Sequence, residues 1–308
     1  MDRTENILSL SNAAPPDSRI AALDASAHRL ESAGIVWRRW GQGPDLVLLH
    51  GGSGSWLHWH RVIPLLASRF TLWVADLPGM GDSPLPDADF FTPAEIADTD
   101  CIGPHRPGRM PPPMAGLGRY LARSIDTLGL DRFHLAGFSF GSAIAAHVAG
   151  QMGPERVARL ILCAPVGLGD APFGRSLRLA RWQDAATEAE LRAIQRDNLA
   201  ALMFSNPARI DDLAIDIQIA GTARARLPRA RRQPTTARAL RGRGLSIGAI
   251  WGAEDVLIKG HEQALRDALG ALDPEAAIAV VPDCGHWVAY EQHRLFSERL
   301  LEMVYMPA

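Results

Sequence analysis

The sequence contains little lysine, little cysteine and almost no net charge. Lys259 is the only lysine among 308 residues, and the formal net charge is −2. A chain so close to neutral has no overall electrostatic attraction to nucleic acid or to an anionic membrane. The three cysteines, Cys101, Cys163 and Cys284, are far apart and form no CxxC pair. This pattern argues against a disulfide framework or a zinc site, and it favours a reducing compartment.

Long apolar runs are also absent. No stretch of 18 apolar residues occurs, and the N-terminal MDRTENILSLSNAAPPDSR carries charges where a signal peptide needs an apolar segment. We therefore expect a cytoplasmic protein with no membrane span. Its hydrophobic content of 47% and charged content of 21% are ordinary for a globular protein. The sequence leaves the oligomeric state open.

Seven apolar segments predict the strands of a buried sheet. They are VWRRW (36–40), DLVLLHG (45–51), FTLWVADLPG (70–79), DRFHLAGF (131–138), RLILCAPVG (159–167), LSIGAIWG (245–252) and AAIAVVPDCG (276–285). Near-continuous apolar runs separated by helical patterns are typical of a mostly parallel sheet with helices on both faces. We therefore predict an α/β fold.

The remaining segments suggest how the chain is divided. Residues 1–30 are polar and read as an N-terminal extension, while 31–167 and 231–308 supply the core. Residues 168–230 carry helical patterns and no good strand, so we expect a helical cap inserted into the core. The Pro-rich stretch within 101–114 is expected to be an irregular loop, either a tolerated surface insertion or a functional rim loop.

The stretch LAGFSFGSA (135–143) places Ser139 between an apolar run and a small-residue run. Gly137 and Gly141 flank the serine at two residues on either side. A sharp strand-to-helix turn needs small residues at those positions, and it exposes the serine hydroxyl at the carboxyl edge of the sheet. The N–H of Phe140, at the start of the following helix, is a natural donor to an oxyanion.

A glycine-rich turn, HGGSGSW (50–56), follows the segment DLVLLHG. Its glycines let backbone approach a ligand, so the N–H of Gly52 is a candidate second oxyanion donor. A dinucleotide loop is disfavoured because Leu57 stands where G-x-G-x-x-G needs glycine, and no Gly-Lys-Ser/Thr follows to make a phosphate loop. His50 is expected to support this turn by hydrogen bonding. His58 and His60, two residues apart in a predicted helix, do not share one helical face and are not expected to bind metal.

A nucleophilic serine needs a base, and the base needs an orienting acid. Asp255 follows the segment LSIGAIWG and His286 follows AIAVVPD, so both are expected on the same sheet edge as Ser139. The order Ser, Asp, His is that of α/β-hydrolases. Glu254 and Asp283 are neighbouring carboxylates that remain alternatives for the acid.

The chain resembles the α/β-hydrolase family. The resemblance is carried by LLHGGSGSW, ADLPGMGDS, LAGFSFGSA, WGAEDVLI and CGHWVAYEQ, which fall in family order between residues 35 and 305. It implies Ser139 as nucleophile, Asp255 as acid and His286 as base. It also implies Gly52 and Phe140 as oxyanion-hole donors, with no metal or organic cofactor.

Related enzymes of the family narrow the expected reaction. Haloalkane dehalogenases and epoxide hydrolases place aspartate at the elbow, so a serine there favours acyl transfer. The motifs CGHW and HGGSGS resemble hydrolases that cleave carbon–carbon bonds of ring-fission products, but those enzymes usually have asparagine where this chain has Phe138. They also place a substrate-binding arginine in the cap, for which Arg224 and Arg226 are candidates.

We therefore predict a serine hydrolase that acts on a small-molecule ester or lactone. A carbon–carbon hydrolase and a ligand receptor with slow hydrolysis remain alternatives. The predicted pocket residues are Phe138, Trp56, Trp287, Met203 and Arg224, although aromatic side chains near strand ends are as often core residues. The arginine-rich stretch 222–244 is interpreted first as a solvated connector, with an anionic-substrate contact as an alternative. It has no interleaved aromatics, so a nucleic-acid partner is not expected.

Overall fold

The computed structural model describes residues 17–97, 101–102, 112–168, 177–227, 231–232 and 235–306. Most of the Pro-rich stretch discussed above, residues 103–111, lies outside these ranges. So do residues 1–16 of the expected N-terminal extension. No helix within the described ranges is long and apolar enough to span a membrane.

An eight-stranded sheet forms the centre of the molecule. The strands in chain order are β1 (His28–Ser32), β2 (Ile35–Trp40), β3 (Asp45–Leu49), β4 (Thr71–Ala75), β5 (Cys101–Ile102), β6 (Phe133–Phe138), β7 (Val157–Cys163), β8 (Arg231–Arg232), β9 (Ile247–Gly252) and β10 (Ala277–Val281). The large sheet has the order β1-β2-β4-β3-β6-β7-β9-β10, and β5 pairs separately with β8. In the large sheet, the neighbouring strands from β4 through β3, β6, β7 and β9 to β10 are parallel. At the other end, β2 pairs antiparallel with both β4 and β1.

The predicted sheet is confirmed, with one strand that we did not predict. Strand β1 has the sequence HRLES and begins inside the segment expected to be an extension. It lies at the sheet edge, and most of its residues are exposed. Such a strand carries no continuous apolar run, because it does not have two faces to bury.

Helices cover both faces of the sheet. They are α1 (Ser18–Ala25), α2 (Ile63–Leu66), α3 (Pro93–Ala97), α4 (Met114–Thr127), α5 (Phe140–Met152), α6 (Glu188–Leu202), α7 (Asp212–Arg224), α8 (Thr236–Leu240), α9 (Glu262–Leu272), α10 (Val288–Glu291) and α11 (His293–Tyr305). The segment WLHW (56–59), which we predicted as part of a helix, is a single 3₁₀ turn.

Strand β3 shows why the central strands read as unbroken apolar runs. Leu46 and Leu48 join the hydrophobic cluster under α2, α11 and the cap helices. Val47 and Leu49 join the opposite cluster, under α4, α5 and α9. All four side chains are fully buried, so alternate residues face two different cores. Burying each stabilises the fold by roughly 1.5–3 kcal/mol.

The two longest helices of the expected cap, α6 and α7, form a hairpin above the sheet; we use "cap" below for residues 177–227. Helix α6 begins after Thr187, whose side chain accepts a hydrogen bond from the Glu190 N–H. Helix α7 begins after Asp211, which accepts one from the Ala214 N–H. Both residues satisfy otherwise unpaired amides of the first turn. The buried faces of α6 and α7 then pack onto the core.

Candidate active site

Ser139 lies at the turn between β6 and α5. Its backbone has φ 51° and ψ −116°, a conformation that side-chain-bearing residues rarely adopt. A side chain at Gly137 would meet the Gly141 carbonyl oxygen at 2.3 Å, and one at Gly141 would meet the His50 carbonyl oxygen at 2.4 Å. Both flanking glycines are therefore required by close backbone approach. The strained turn directs the serine side chain out of the sheet edge.

His286 connects Ser139 to Asp255. Its Nε2 lies 2.8 Å from Ser139 Oγ, and its Nδ1 lies 2.7 Å from Asp255 Oδ2. Asp255 is fully buried and His286 is 2% exposed. An ionised carboxylate only accepts hydrogen bonds, so Nδ1 carries the proton and Nε2 accepts from the serine hydroxyl. The three side chains predicted from the sequence therefore meet in the geometry of a nucleophile, a base and an orienting acid.

His286 is hydrogen-bonded to Asp255 and to neither of the competing carboxylates. Glu254 forms an ion pair with Lys259. Asp283 contributes its main-chain carbonyl to Arg209, at 2.6 Å. Asp255 also accepts the Leu257 N–H at 2.9 Å, which fixes the carboxylate plane. Asp255 is thus the carboxylate that faces the imidazole.

The loops that carry Asp255 and His286 touch through a glycine. A side chain at Gly252 would meet the carbonyl oxygens of Cys284 and Gly285 at 2.1 and 2.2 Å. The Glu254 N–H also donates to the Cys284 carbonyl at 2.9 Å. Because parallel strands end at the same edge of a sheet, the turns after β6, β9 and β10 bring the three side chains together.

The glycine-rich turn lies beside Ser139. A side chain at Gly52 would lie 3.5 Å from the Phe140 Cβ, so the two proposed oxyanion donors are neighbours at the start of α5. Gly52 is exposed, and Ser139 and Phe140 are partly exposed. A substrate can therefore approach this side of the triad.

Two histidines hold the turn. His50 Nε2 accepts the Leu77 N–H at 2.9 Å, and its Nδ1–H donates to the Gly51 carbonyl at 2.7 Å. His58 Nδ1 accepts the Gly51 N–H at 3.1 Å. His50 thus has the supporting position expected from the sequence, whereas the part taken by His58 was not foreseen.

These acceptor roles require neutral imidazoles. Burial lowers the pKa of His50, and burial together with neighbouring histidines lowers the pKa of His58 well below its usual value. Burial also lowers the pKa of His60 to about 4. No three or more His, Cys, Asp or Glu side chains in the described ranges are grouped so as to hold a metal ion.

Four of the five predicted pocket residues belong to the buried core around the triad. The Phe138 ring lies 5.1 Å from the His286 ring, and Trp287 Nε1 donates to the His58 carbonyl at 3.0 Å. Trp56 packs on Trp40, and the Met203 carbonyl accepts the Trp287 N–H. Of these side chains, Phe138 is the one whose ring contact with the triad is direct.

The cap arginines bind the core loop ADLPGMGDS (75–83). Arg224, 57% exposed, pairs with Asp82 at 2.7 Å. Arg226 donates its main-chain N–H to the Gly79 carbonyl at 2.7 Å and its guanidinium to the Ser83 carbonyl at 2.5 Å. The first part of the arginine-rich stretch is therefore anchored to the core, and the connector interpretation does not describe it fully.

Two acidic residues with many contacts were not singled out from the sequence. Asp76 accepts the Trp56 N–H at 2.8 Å and the Arg38 guanidinium at 3.2 Å, which joins the turn after β4 to the glycine-rich turn. Glu291 lies five residues after His286 and accepts hydrogen bonds from the cap and from the His286 loop. Both residues lie within motifs quoted above: Asp76 directly follows strand β4, and Glu291 follows His286 in CGHWVAYEQ. These positions are the sequence signal that could have identified them.

Comparison with known proteins gives one family match. The profile described as alpha/beta hydrolase fold matches residues 44–206, more than half of the chain. Among solved structures, a carboxylesterase, CesB (YbfK), from Bacillus subtilis superposes with a TM-score of 0.70 at 17% identity, and all of both chains is covered. At that identity, the likeness concerns the fold.

Three curated relatives are similar in sequence. The dihydrolipoyllysine-residue acetyltransferase component of the acetoin cleaving system of Pseudomonas putida is 27% identical over 84% of this chain and 63% of its own length. The pimeloyl-(acyl-carrier protein) methyl ester esterase of Aeromonas hydrophila is 34% identical over 41% of this chain and 39% of its own. The 2-hydroxy-6-oxo-6-phenylhexa-2,4-dienoate hydrolase of Burkholderia cepacia is 27% identical over 86% of this chain and 88% of its own. The chain thus spans less than two thirds of the first two relatives.

Proposed function

The chain belongs to the α/β-hydrolase fold family, and we propose that it is a serine hydrolase that cleaves a small-molecule ester or lactone through an acyl-enzyme. The observation that carries this proposal is the continuous chain Ser139 Oγ–His286–Asp255, with hydrogen bonds of 2.8 and 2.7 Å. A similarity to an esterase over part of the chain supports it.

In the proposed first half-reaction, Ser139 Oγ attacks the acyl carbon of the substrate. His286 Nε2 takes the hydroxyl proton, and the buried Asp255 carboxylate stabilises the imidazolium that forms. The new oxyanion accepts the N–H groups of Gly52 and Phe140, where the helix α5 dipole adds positive potential. His286 then gives its proton to the leaving alcohol as the acyl-enzyme forms.

In the second half-reaction, water attacks the acyl-enzyme. His286 removes a proton from that water and returns it to Ser139 Oγ when the acid product leaves. The exposed side of the turn at Gly52 gives water access to the acyl group. Both steps use the same two oxyanion donors, and loss of one such donor typically lowers the rate about a hundredfold or more.

Carbon–carbon hydrolysis is the second candidate. A relative named as a 2-hydroxy-6-oxo-6-phenylhexa-2,4-dienoate hydrolase aligns over 86% of this chain. Phe138 argues against it, because the ring packs against His58 and His286 and puts no hydrogen-bonding group beside the nucleophile. A third candidate is not primarily an enzyme: the protein would act as a ligand receptor that hydrolyses its ligand slowly.

The experiment is a substrate panel on the wild type and on Ser139→Ala. We expect turnover of p-nitrophenyl esters or lactones by the wild type and none by the variant. A preference for a vinylogous diketone acid would favour the carbon–carbon hydrolase. Tight ligand binding with turnover far below about 1 s⁻¹ would favour the receptor. Unchanged activity of Ser139→Ala would overturn the proposal.

A further inference from the structure

The Glu291 carboxylate is buried and accepts hydrogen bonds from five donor groups. Its side chain has no exposed surface. Oε2 accepts the N–H of Gly285 at 2.7 Å and of Ser205 at 3.0 Å. Oε1 accepts the Ser205 hydroxyl at 2.7 Å, the Asn206 N–H at 3.2 Å and the Arg209 guanidinium at 3.3 Å. A buried carboxylate requires such compensation, so all these donors contribute to holding it.

The donors come from two separate parts of the chain. Ser205, Asn206 and Arg209 lie in the cap hinge, which we define as residues 203–210 between α6 and α7. Gly285 directly precedes His286 in the loop after β10. A single carboxylate therefore joins the cap hinge to the loop that carries the base of the triad.

A second hydrogen bond joins the same two segments on the other side of His286. The Trp287 N–H donates to the Met203 carbonyl at 2.9 Å. A side chain at Gly285 would meet the Ser205 nitrogen at 2.6 Å, so the two backbones are in close contact. Both residues that flank His286 are thus fixed against the cap hinge, either directly or through Glu291.

We propose that Glu291 is a positioning residue. It keeps His286 within hydrogen-bonding distance of Ser139 and Asp255 by joining the His286 loop to the cap hinge. The inference rests on the serine-hydrolase function proposed above. Glu291 does not contact the triad hydrogen bonds; it acts through the main chain of Gly285. Displacing the cap hinge would then weaken the base as well as open the site.

The chemistry explains why an amide cannot replace this acid. A carboxylate accepts at both oxygens, whereas glutamine presents one oxygen and one NH₂ donor. Either orientation of the amide turns that NH₂ group toward groups that cannot accept from it: two backbone N–H groups on one side, and a backbone N–H and a guanidinium, beside a hydroxyl that can accept, on the other. Glu291→Gln therefore breaks one set of bonds with almost no change in volume.

The experiment compares Glu291→Gln with Glu95→Gln. Glu95 also accepts a backbone N–H and a hydroxyl, both from Thr92, together with the guanidinium of Arg119. Its side chain is mostly buried, but it belongs to α3 and pairs with Arg119 of α4, and it forms no hydrogen bond or ion pair with the His286 loop. Loss of stability alone should affect both variants similarly.

Two readouts separate positioning from stability. With a p-nitrophenyl ester, we expect Glu291→Gln to lower kcat about tenfold to a hundredfold with little change in KM, since small misplacements of reacting groups have effects of that size. We also expect the far-downfield proton signal of the His286 Nδ1–H to Asp255 hydrogen bond to shift or disappear. Glu95→Gln should keep both the kcat and the signal.

A Glu291→Gln protein that melts earlier but keeps the wild-type kcat and proton signal would overturn the proposal. So would equal changes of both quantities in Glu95→Gln. The proton signal needs no substrate, so it tests Glu291 even if the hydrolase function fails. If Ser139→Ala and the wild type turn over esters equally while the signal still depends on Glu291, only the proposed function is lost.

Discussion

Gly221 of the cap helix α7 lies against Ser53 of the glycine-rich turn. A side chain at Gly221 would meet the Ser53 carbonyl oxygen at 2.3 Å and the Gly54 Cα at 3.3 Å. The cap thus rests on the same turn that supplies Gly52, the proposed oxyanion donor. The position of α7 and the shape of the site are therefore coupled through backbone contact.

This contact makes Gly221→Ala a sensitive test. The added methyl group forces α7 or the turn to move, and overpacking of this kind costs about 1–3 kcal/mol. We expect kcat/KM for an ester substrate to fall by about tenfold, because the Gly52 N–H moves with the turn. Gly270→Ala in α9 is the control, since a methyl group there meets nothing within 4 Å. Equal kinetics in both variants would exclude the coupling.

Phe138 gives a prediction on specificity. Its ring is 2% exposed and packs against His58, Trp59 and His286. Phe138→Asn removes this packing and buries an amide, so we expect about 3–5 kcal/mol of destabilisation, as for a large-to-small core change. Urea unfolding measures it. We expect no gain of carbon–carbon hydrolysis; such a gain would show that the site is closer to those enzymes than we propose.

A substitution of Arg224 distinguishes two roles of this side chain, anchoring the cap to the core and contacting the substrate. The Arg224–Asp82 pair is half exposed, and such pairs contribute about 0–1 kcal/mol. We expect Arg224→Ala to change kcat/KM for neutral and anionic esters by the same small factor. A loss confined to anionic esters would instead assign the guanidinium to the substrate.

The buried histidines predict how stability depends on pH. The pKa of His60 is lowered by burial to about 4, whereas in the unfolded chain it is about 6.5. Above pH 6.5 both states are neutral there, and stability does not depend on this group. Between pH 6.5 and 4 only the unfolded state binds the proton, so stability falls by up to about 1.4 kcal/mol per pH unit. His50 and His58, whose pKa values are also lowered, act in the same direction.

Urea unfolding of the wild type and His60→Gln at pH 7.5 and pH 5 measures this effect. We expect the variant to lose less stability between the two pH values, by about 2 kcal/mol. The comparison uses the pH difference, so a constant loss from the missing Nδ1–H to Leu57 hydrogen bond cancels. If the stability of the two proteins depends on pH in the same way, the pKa of His60 is not lowered in the folded state.

Much of the fold and the triad geometry can be read from the sequence because their signals are local. Apolar strands buried on two faces are continuous runs, and the glycines around Ser139 are required by contacts within the turn. Strand β1 gives no such signal, because an edge strand of charged residues resembles a polar tail. The parts played by Asp76 and Glu291 depend on contacts with Arg38 and Ser205, which are 38 and 86 residues away in the sequence and which only the folded chain brings together.

Mass spectrometry of the protein quenched during turnover of p-nitrophenyl acetate tests the central claim most directly. The account predicts one acetyl group on the peptide that contains Ser139, formed in a burst and absent from Ser139→Ala. An acetyl group on another residue, or steady turnover in Ser139→Ala without an adduct, would contradict it.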